Sequence, residues 1–210
     1  MKERPILFSA PMVRALLDGS KTQTRRVCKP AASLSFVVEV PDPMERGQVY
    51  NCSHFGDEDG AVQFASPYGG IGDRLWVRET FAHIYRDNAV PAERRADDVV
   101  YKADGFTPDA SVYGPWKPSI HMPRWASRID LKVTCVRVER LQDISAADAI
   151  AEGLTPQVND AGAWGLADGS HYHGNDPRLS YRSLWEAING GGSWDANPFV
   201  WAVEFRRIKP

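Results

Sequence analysis

The residues best suited to chemistry are Lys21, Thr24, Arg25 and Arg26 in the run Leu16-Leu-Asp-Gly-Ser-Lys-Thr-Gln-Thr-Arg-Arg26, with Glu152 far downstream. An amine and a hydroxyl three residues apart across a tight turn can be brought within hydrogen-bond reach. A partly desolvated lysine there can act as base toward a hydroxyl nucleophile. The same residues also fit an exposed lysine and a strand threonine with no chemical role. Glu152 adds a carboxylate in the last turn of a short helix, where the negative end of the helix dipole opposes an ionised acid and suits a proton donor.

The elements that must position these groups are local and readable. Ser9 precedes a helix with Pro11 in its first turn, and Met12, Ala15 and Leu16 recur at i, i+3, i+4. Gly19 supplies the left-handed stop, and Thr22 to Val27 begins a strand, so Lys21 falls in the turn between them. Ser145 with Asp148 three residues on opens the helix that carries Glu152, and Gly153 ends it.

Other segments follow by period. Residues 34–40 read as a strand, with a short hairpin near Ala61 to Phe64 in the polar stretch after it. Arg74 to Thr80 and Val99 to Tyr101 are strands. Residues 128–141 form the longest strand, with Ile129, Leu131, Val133 and Cys135 alternating until parity slips at Cys135-Val136, which predicts a bulge. Asp176-Pro177 caps a last helix with Tyr181, Leu184, Trp185 and Ile188 on one face, and Pro198 to Ile208 is a closing strand. Arg86 to Asp98 reads as a loop or frayed helix, and 156–175 as a long insertion that can act as a lid. Strands far apart in sequence must pair without regular intervening helices, which predicts an α+β domain built on a small bent β-barrel.

Composition narrows the function. The 210-residue chain has a formal charge of −2, which excludes a wholesale nucleic-acid coat protein. Residues 1–30 nevertheless hold seven basic and two acidic side chains. That excess fits either an anionic ligand or a solvated basic face balanced by later acids. The absence of a long apolar run and of a basic-then-apolar leader gives the expectation of a cytoplasmic protein with no membrane partner. Cys28, Cys52 and Cys135, with no close pair, fit a reducing compartment and argue against zinc; His171-Tyr172-His173 reads as a solvated loop rather than a metal site. No metal or cofactor is expected. Trp116 to Trp125, with Ser119, His121 and two prolines, is a stiff polar-aromatic segment on which a planar base can stack or which can pack as core or lid.

Three stretches resemble the ASCH domain family, whose fold is a PUA-like β-barrel with flanking helices. They are Leu17-Asp-Gly-Ser-Lys-Thr-Gln-Thr-Arg-Arg26, close to the motif L-x-G-x-K-T-x-T-x-R, then Gly72-Asp-Arg-Leu-Trp-Val-Arg-Glu79, and the final strand at Val203-Glu204-Phe205. With Trp116 to Trp125, Leu184-Trp-Glu-Ala-Ile-Asn189 and Trp194-Asp-Ala-Asn-Pro198, the chain is similar to the longer ASCH proteins of phages and prophages. The resemblance implies one domain over 1–210, with insertions at about 41–70 and 156–175. It also implies the chemistry of the small bacterial N4-acetylcytidine amidohydrolases, with Lys21 as proton acceptor, Thr24 as nucleophile and Glu152 as proton donor. Arg25, Arg26, Glu79, Trp116, Ser119 and His121 are the expected substrate-binding residues, and a nucleoside or nucleotide is the expected partner. In a variant of this chemistry, Glu152 activates water directly and Thr24 only positions the carbonyl. The alternatives are a non-catalytic module that binds RNA or a modified nucleotide, and a ribonuclease.

Overall fold

In a computed structural model the described residues are all except 45, 85–97, 106, 108, 110, 157–162, 168–169, 171–173 and 209–210. In chain order the elements are β1 (Glu3–Leu7), α1 (Ala10–Asp18), β2 (Gln23–Val27), β3 (Val38–Glu39), β4 (His54–Gly56), β5 (Gln63–Ala65), β6 (Arg74–Arg78), β7 (Phe81–His83) and β8 (Val99–Tyr101). They continue with β9 (Asp130–Arg140), α2 (Ala146–Ala151), β10 (Thr155–Pro156), β11 (Trp164–Gly165), α3 (Pro177–Asn189) and β12 (Phe199–Ile208).

A mixed α+β arrangement results. The main sheet has the order β1-β6-β9-β12-β2, with β1 parallel to β6 and the other neighbours antiparallel. A three-stranded sheet β3-β4-β5 and two strand pairs, β7/β8 and β10/β11, flank it. The expected hairpin is thus β4/β5, whereas the strand expected over 34–40 contracts to Val38–Glu39, which pairs with Gly56 and Phe55 of β4. β1 escapes sequence reading, because Glu3-Arg-Pro-Ile-Leu7 has weak alternation and becomes a strand through pairing with β6. The bulge predicted on the long strand is present: Glu204 pairs with Cys135 and Phe205 with Val133, leaving Thr134 as the extra residue.

Strand pairing puts opposite residues on one face of the sheet. Val136, Val203 and Trp201 thereby join Val13, Leu16, Leu75, Leu131 and Val133 in the larger core beneath α1. The other face carries Val200 toward a second core with Leu141, Ile144, Leu154, Tyr181, Leu184 and Trp185, which seats α2 and α3. Helix α3 starts at the Asp176 cap, whose side chain accepts from the Arg178 N–H, while Ser145 and Asp148 form a reciprocal capping box on α2. Ser9 occupies the N-cap of α1 but its side chain caps nothing.

No helix among the described residues is long and apolar enough to cross a membrane. The loop expected at Arg86 to Asp98 lies almost wholly outside the described residues, as do His171-Tyr172-His173 and part of the 156–175 insertion.

Candidate functional site

Gly19, with φ of 87°, stops α1 and turns the chain back on itself. The Lys21 N–H then donates to Ala15 O at 2.9 Å and the Thr22 N–H to Ala151 O at 2.9 Å, so the turn docks on the end of α2. Lys21 and Glu152, 131 positions apart, form an isolated antiparallel bridge. The Lys21 ammonium donates to Glu152 Oε2 at 2.7 Å and to the Glu152 carbonyl at 2.8 Å. Both residues are buried, at 2% and 3% exposure.

This approach requires Gly153. Its φ is 102°, and a Cβ there would lie 3.1 Å from the Ala15 Cβ and 3.3 Å from the Lys21 Cβ. Gly153→Ala is expected to cost about 1–3 kcal/mol from backbone strain alone, seen as a lower urea midpoint with an unchanged slope.

Strand parity decides where the neighbours of Lys21 go. Arg25 lies opposite Ala202, itself opposite Arg137, and this face of the sheet holds an ion-pair network. Arg25 Nη2 is 2.5 Å from Glu139 Oε1 and 3.3 Å from Asp148 Oδ2, and Nη1 is 3.6 Å from Glu152 Oε1. Arg137 pairs with Glu139, Asp148 and Glu204. Gln23, with its amide oriented to satisfy both sides, accepts from Arg25 and donates to Asp148 Oδ1 at 3.0 Å. Thr24 lies opposite Val203 and therefore faces the larger core. It is fully buried and its hydroxyl has no hydrogen-bond partner.

A cleft of about 470 Å³ opens beside the Lys21–Glu152 pair, within the range of about 300–1,000 Å³ usual for small-molecule sites. One wall is α3, through Tyr181, Leu184, Trp185, Ile188 and Asn189; the other is Leu7 and Phe8 at the end of β1, with Ser9 and Met12. Glu152 and Arg26 are its charged groups, and Thr80 and Ser119 complete its lining. The Phe8 ring carries Lys21 Nζ 5.7 Å and the Arg26 guanidinium 5.4 Å from its centroid. Arg26 also donates to Leu7 O at 2.8 Å, which fixes it along the cleft. Backbone pairing of Lys117 with Phe81 aligns the Trp116–Trp125 segment with β7, next to Thr80.

Electrostatically, burial lowers the Lys21 pKa; Glu152 pulls it back up, and Arg26 and Arg25 push it down further. Burial and then the Glu152 carboxylate raise the Tyr181 phenol well above its usual value. Against the opposing pull of burial, the Ser145 hydroxyl and the Arg25 and Arg137 guanidiniums keep Asp148 below the ordinary carboxylate range.

Of the residues singled out from sequence, Lys21, Glu152, Arg26 and Ser119 gather at or beside the cleft. Arg25 sits behind Glu152 rather than on the wall. Thr24 faces the core. Glu79 is held by Arg128 in a bidentate pair at 2.9 and 3.0 Å, away from the cleft, and burial raises its pKa. Trp116 is half-buried outside the lining, and His121 is exposed on a short turn. The α3 wall is what sequence reading missed: its apolar stripe is the same whether it meets a core or a cleft, and the one clue is Ile188, at the stripe's end and 54% exposed. Among the described residues no cluster of three His, Cys, Asp or Glu could hold a metal ion.

Three polar atoms around this site lack hydrogen-bond partners although buried: Glu152 Oε1, Arg25 Nε and the Trp185 indole N–H. Buried polar atoms left unpaired are uncommon and costly, and they mark places where a substrate or water completes the set. A clamped carboxylate with one oxygen free of hydrogen bonds, beside an apolar cleft, can take a proton from an incoming nucleophile and return it to a leaving group. No protein-family model, curated protein or solved structure matches this chain.

Proposed function

We propose that this protein is an amidohydrolase that removes the acyl group from N4-acylated cytidine or cytosine compounds, working on a PUA-like small bent barrel of the ASCH type. One observation supports this reading above the others: Glu152 lines a nucleoside-sized cleft, is clamped by Lys21 at 2.7 Å, and keeps Oε1 without a hydrogen bond.

In the proposed reaction, Glu152 accepts a proton from water as the water oxygen bonds to the acyl carbon. Lys21 holds the carboxylate, and the Arg26 guanidinium stabilises the developing oxyanion. Glu152 then passes its proton to N4 as the carbon–nitrogen bond breaks, releasing a carboxylic acid and the free exocyclic amine. Phe8, Tyr181 and Trp185 supply aromatic surface for the base. The route through water fits the geometry better than an acyl-threonine, because the Thr24 hydroxyl faces the core rather than the cleft. Thr24→Ala is accordingly expected to keep kcat within about threefold, the scatter of an indirect effect of less than about 1 kcal/mol; a loss of two orders of magnitude would restore Thr24 as nucleophile.

The indole N–H of Trp185 offers a donor to a substrate carbonyl. Trp185→Phe keeps an aromatic ring, smaller than the indole, and removes the donor, and is expected to raise KM by about 3–10-fold, the value of one neutral hydrogen bond. Incubating the protein with N4-acetylcytidine and following the ultraviolet change to cytidine tests the whole reading.

A second reading, a non-catalytic RNA-binding module, draws on a different surface. Arg78 and Arg124 lie 4.8 and 5.9 Å from the ring of Trp76, and Trp125 is 38% exposed. Cationic and aromatic groups so placed are of the type that stack bases and contact phosphates. RNA binding that weakens steeply with salt, without turnover of the acylated nucleoside, would favour it.

A further inference from the structure

We infer that Cys52 and Cys135 form a dithiol site that reacts with low-molecular-weight disulfides and closes to an internal disulfide, bracing the β3–β5 excursion against β9. The two sulfurs are 3.9 Å apart although the residues are 83 positions apart in the chain. Both residues are half-buried, so a small oxidant reaches them. No two of the cysteines are close in sequence, and it is the fold that brings these two together.

The backbone around each cysteine is placed by contacts that owe nothing to the other. Cys52 has φ of 58°, in the left-handed region that residues other than glycine seldom adopt, and its N–H donates to Glu39 Oε1 at 2.5 Å. On either side of it, Asn51 O accepts from the Ile71 N–H at 2.9 Å and Ser53 O from the Ser66 N–H at 2.7 Å. Cys135 sits beside the Thr134 bulge, opposite Glu204, and the Gly72 N–H donates to Val133 O at 2.9 Å. A disulfide needs the sulfurs at about 2.05 Å. Cys52 lies outside any strand, so its side chain and loop can supply the approach.

Burial, and after it the neighbouring Cys52 thiol, pushes the Cys135 thiol up to about 11. Cys52, in the loop before β4 and outside any strand, is the entering member. Its thiolate attacks one sulfur of oxidised glutathione and releases one glutathione thiolate, leaving a mixed disulfide at Cys52. Cys135 then attacks the Cys52 sulfur, gives its proton to solvent and expels the second glutathione. Two protein thiols and one small disulfide become one protein disulfide and two small thiols. Cys28 is buried in the larger core, where desolvation pushes its thiol up to about 11, and it serves as an internal reference.

The test treats the full chain with oxidised glutathione and reads intact mass, titratable thiols, peptide linkage and melting temperature. The expected result is a monomer lighter by two hydrogens, with one thiol left at Cys28 and a Cys52–Cys135 linked peptide. Its melting temperature should rise by roughly 5–10 °C, because the closed loop restricts the unfolded chain. Cys28→Ser should close in the same way, whereas Cys52→Ser and Cys135→Ser should not. Three free thiols after treatment, a lasting glutathione adduct without closure, or a bond that uses Cys28 or a second molecule would each overturn the inference. The unsubstituted chain alone decides it, so a variant that fails to fold does not blunt the test.

Discussion

Glu152→Gln is expected to lower kcat on N4-acetylcytidine by about 10²–10⁴-fold, the usual worth of a general acid–base group. The substitution preserves shape and leaves an amide oxygen for the Lys21 ammonium, so the cleft should persist. What it removes is the group that, in the proposed reaction, takes a proton from water and returns it to N4. The check is the ultraviolet assay together with a melting curve, because Glu152 also balances Lys21 and Arg25. A variant that melts near the parent temperature and still turns over at the parent rate would end the role of Glu152 as the proton carrier, whereas absence of turnover in the parent chain would end the amidohydrolase reading.

The second large effect is on stability. Lys21→Met removes one partner of a buried pair and leaves the Glu152 carboxylate with Arg25, 3.6 Å away, as its remaining cation. Breaking such a pair from one side costs about 3–5 kcal/mol, because the surviving charge stays desolvated. Urea unfolding of the variant should show that loss, and adding Glu152→Met should recover part of it by removing the stranded charge. The pH dependence has a definite sign. Burial holds Lys21 below the ordinary lysine value of 10.5 in the folded chain, so between the two values the unfolded chain binds the extra proton. The Lys21 contribution is therefore fully present above 10.5 and is lost as pH falls through the lowered folded value. Lys21→Met should lack that slope.

How much of this was legible beforehand depends on the range of the interaction involved. The Gly19 stop, the Ser145 capping box, the Asp176 cap and the Thr134 bulge next to Cys135 are local matters of dihedral preference, hydrogen bonding and period, and reading along the chain finds them. β1 was not legible, since five residues containing a proline acquire strand character only beside β6. The role expected of Glu79 failed for a related reason: nothing near it in sequence announces Arg128 as its partner. The apolar stripe of α3 was read correctly as a stripe but not as a cleft wall, because hydrophobic periodicity records which side is dry and not what lies opposite.

By itself, then, the amino-acid sequence determined the short elements, their caps and the presence of an amine, an alcohol and an acid with the right chemistry. The tertiary structure alone decided which of them meet. Sheet register turned Thr24 toward Val203 and Arg25 toward Glu139, and the docking of α2 on the turn after α1 joined Lys21 to Glu152. A one-residue change of register would exchange the faces of Thr24 and Arg25 without altering any local preference, which is why only long-range pairing could settle the site.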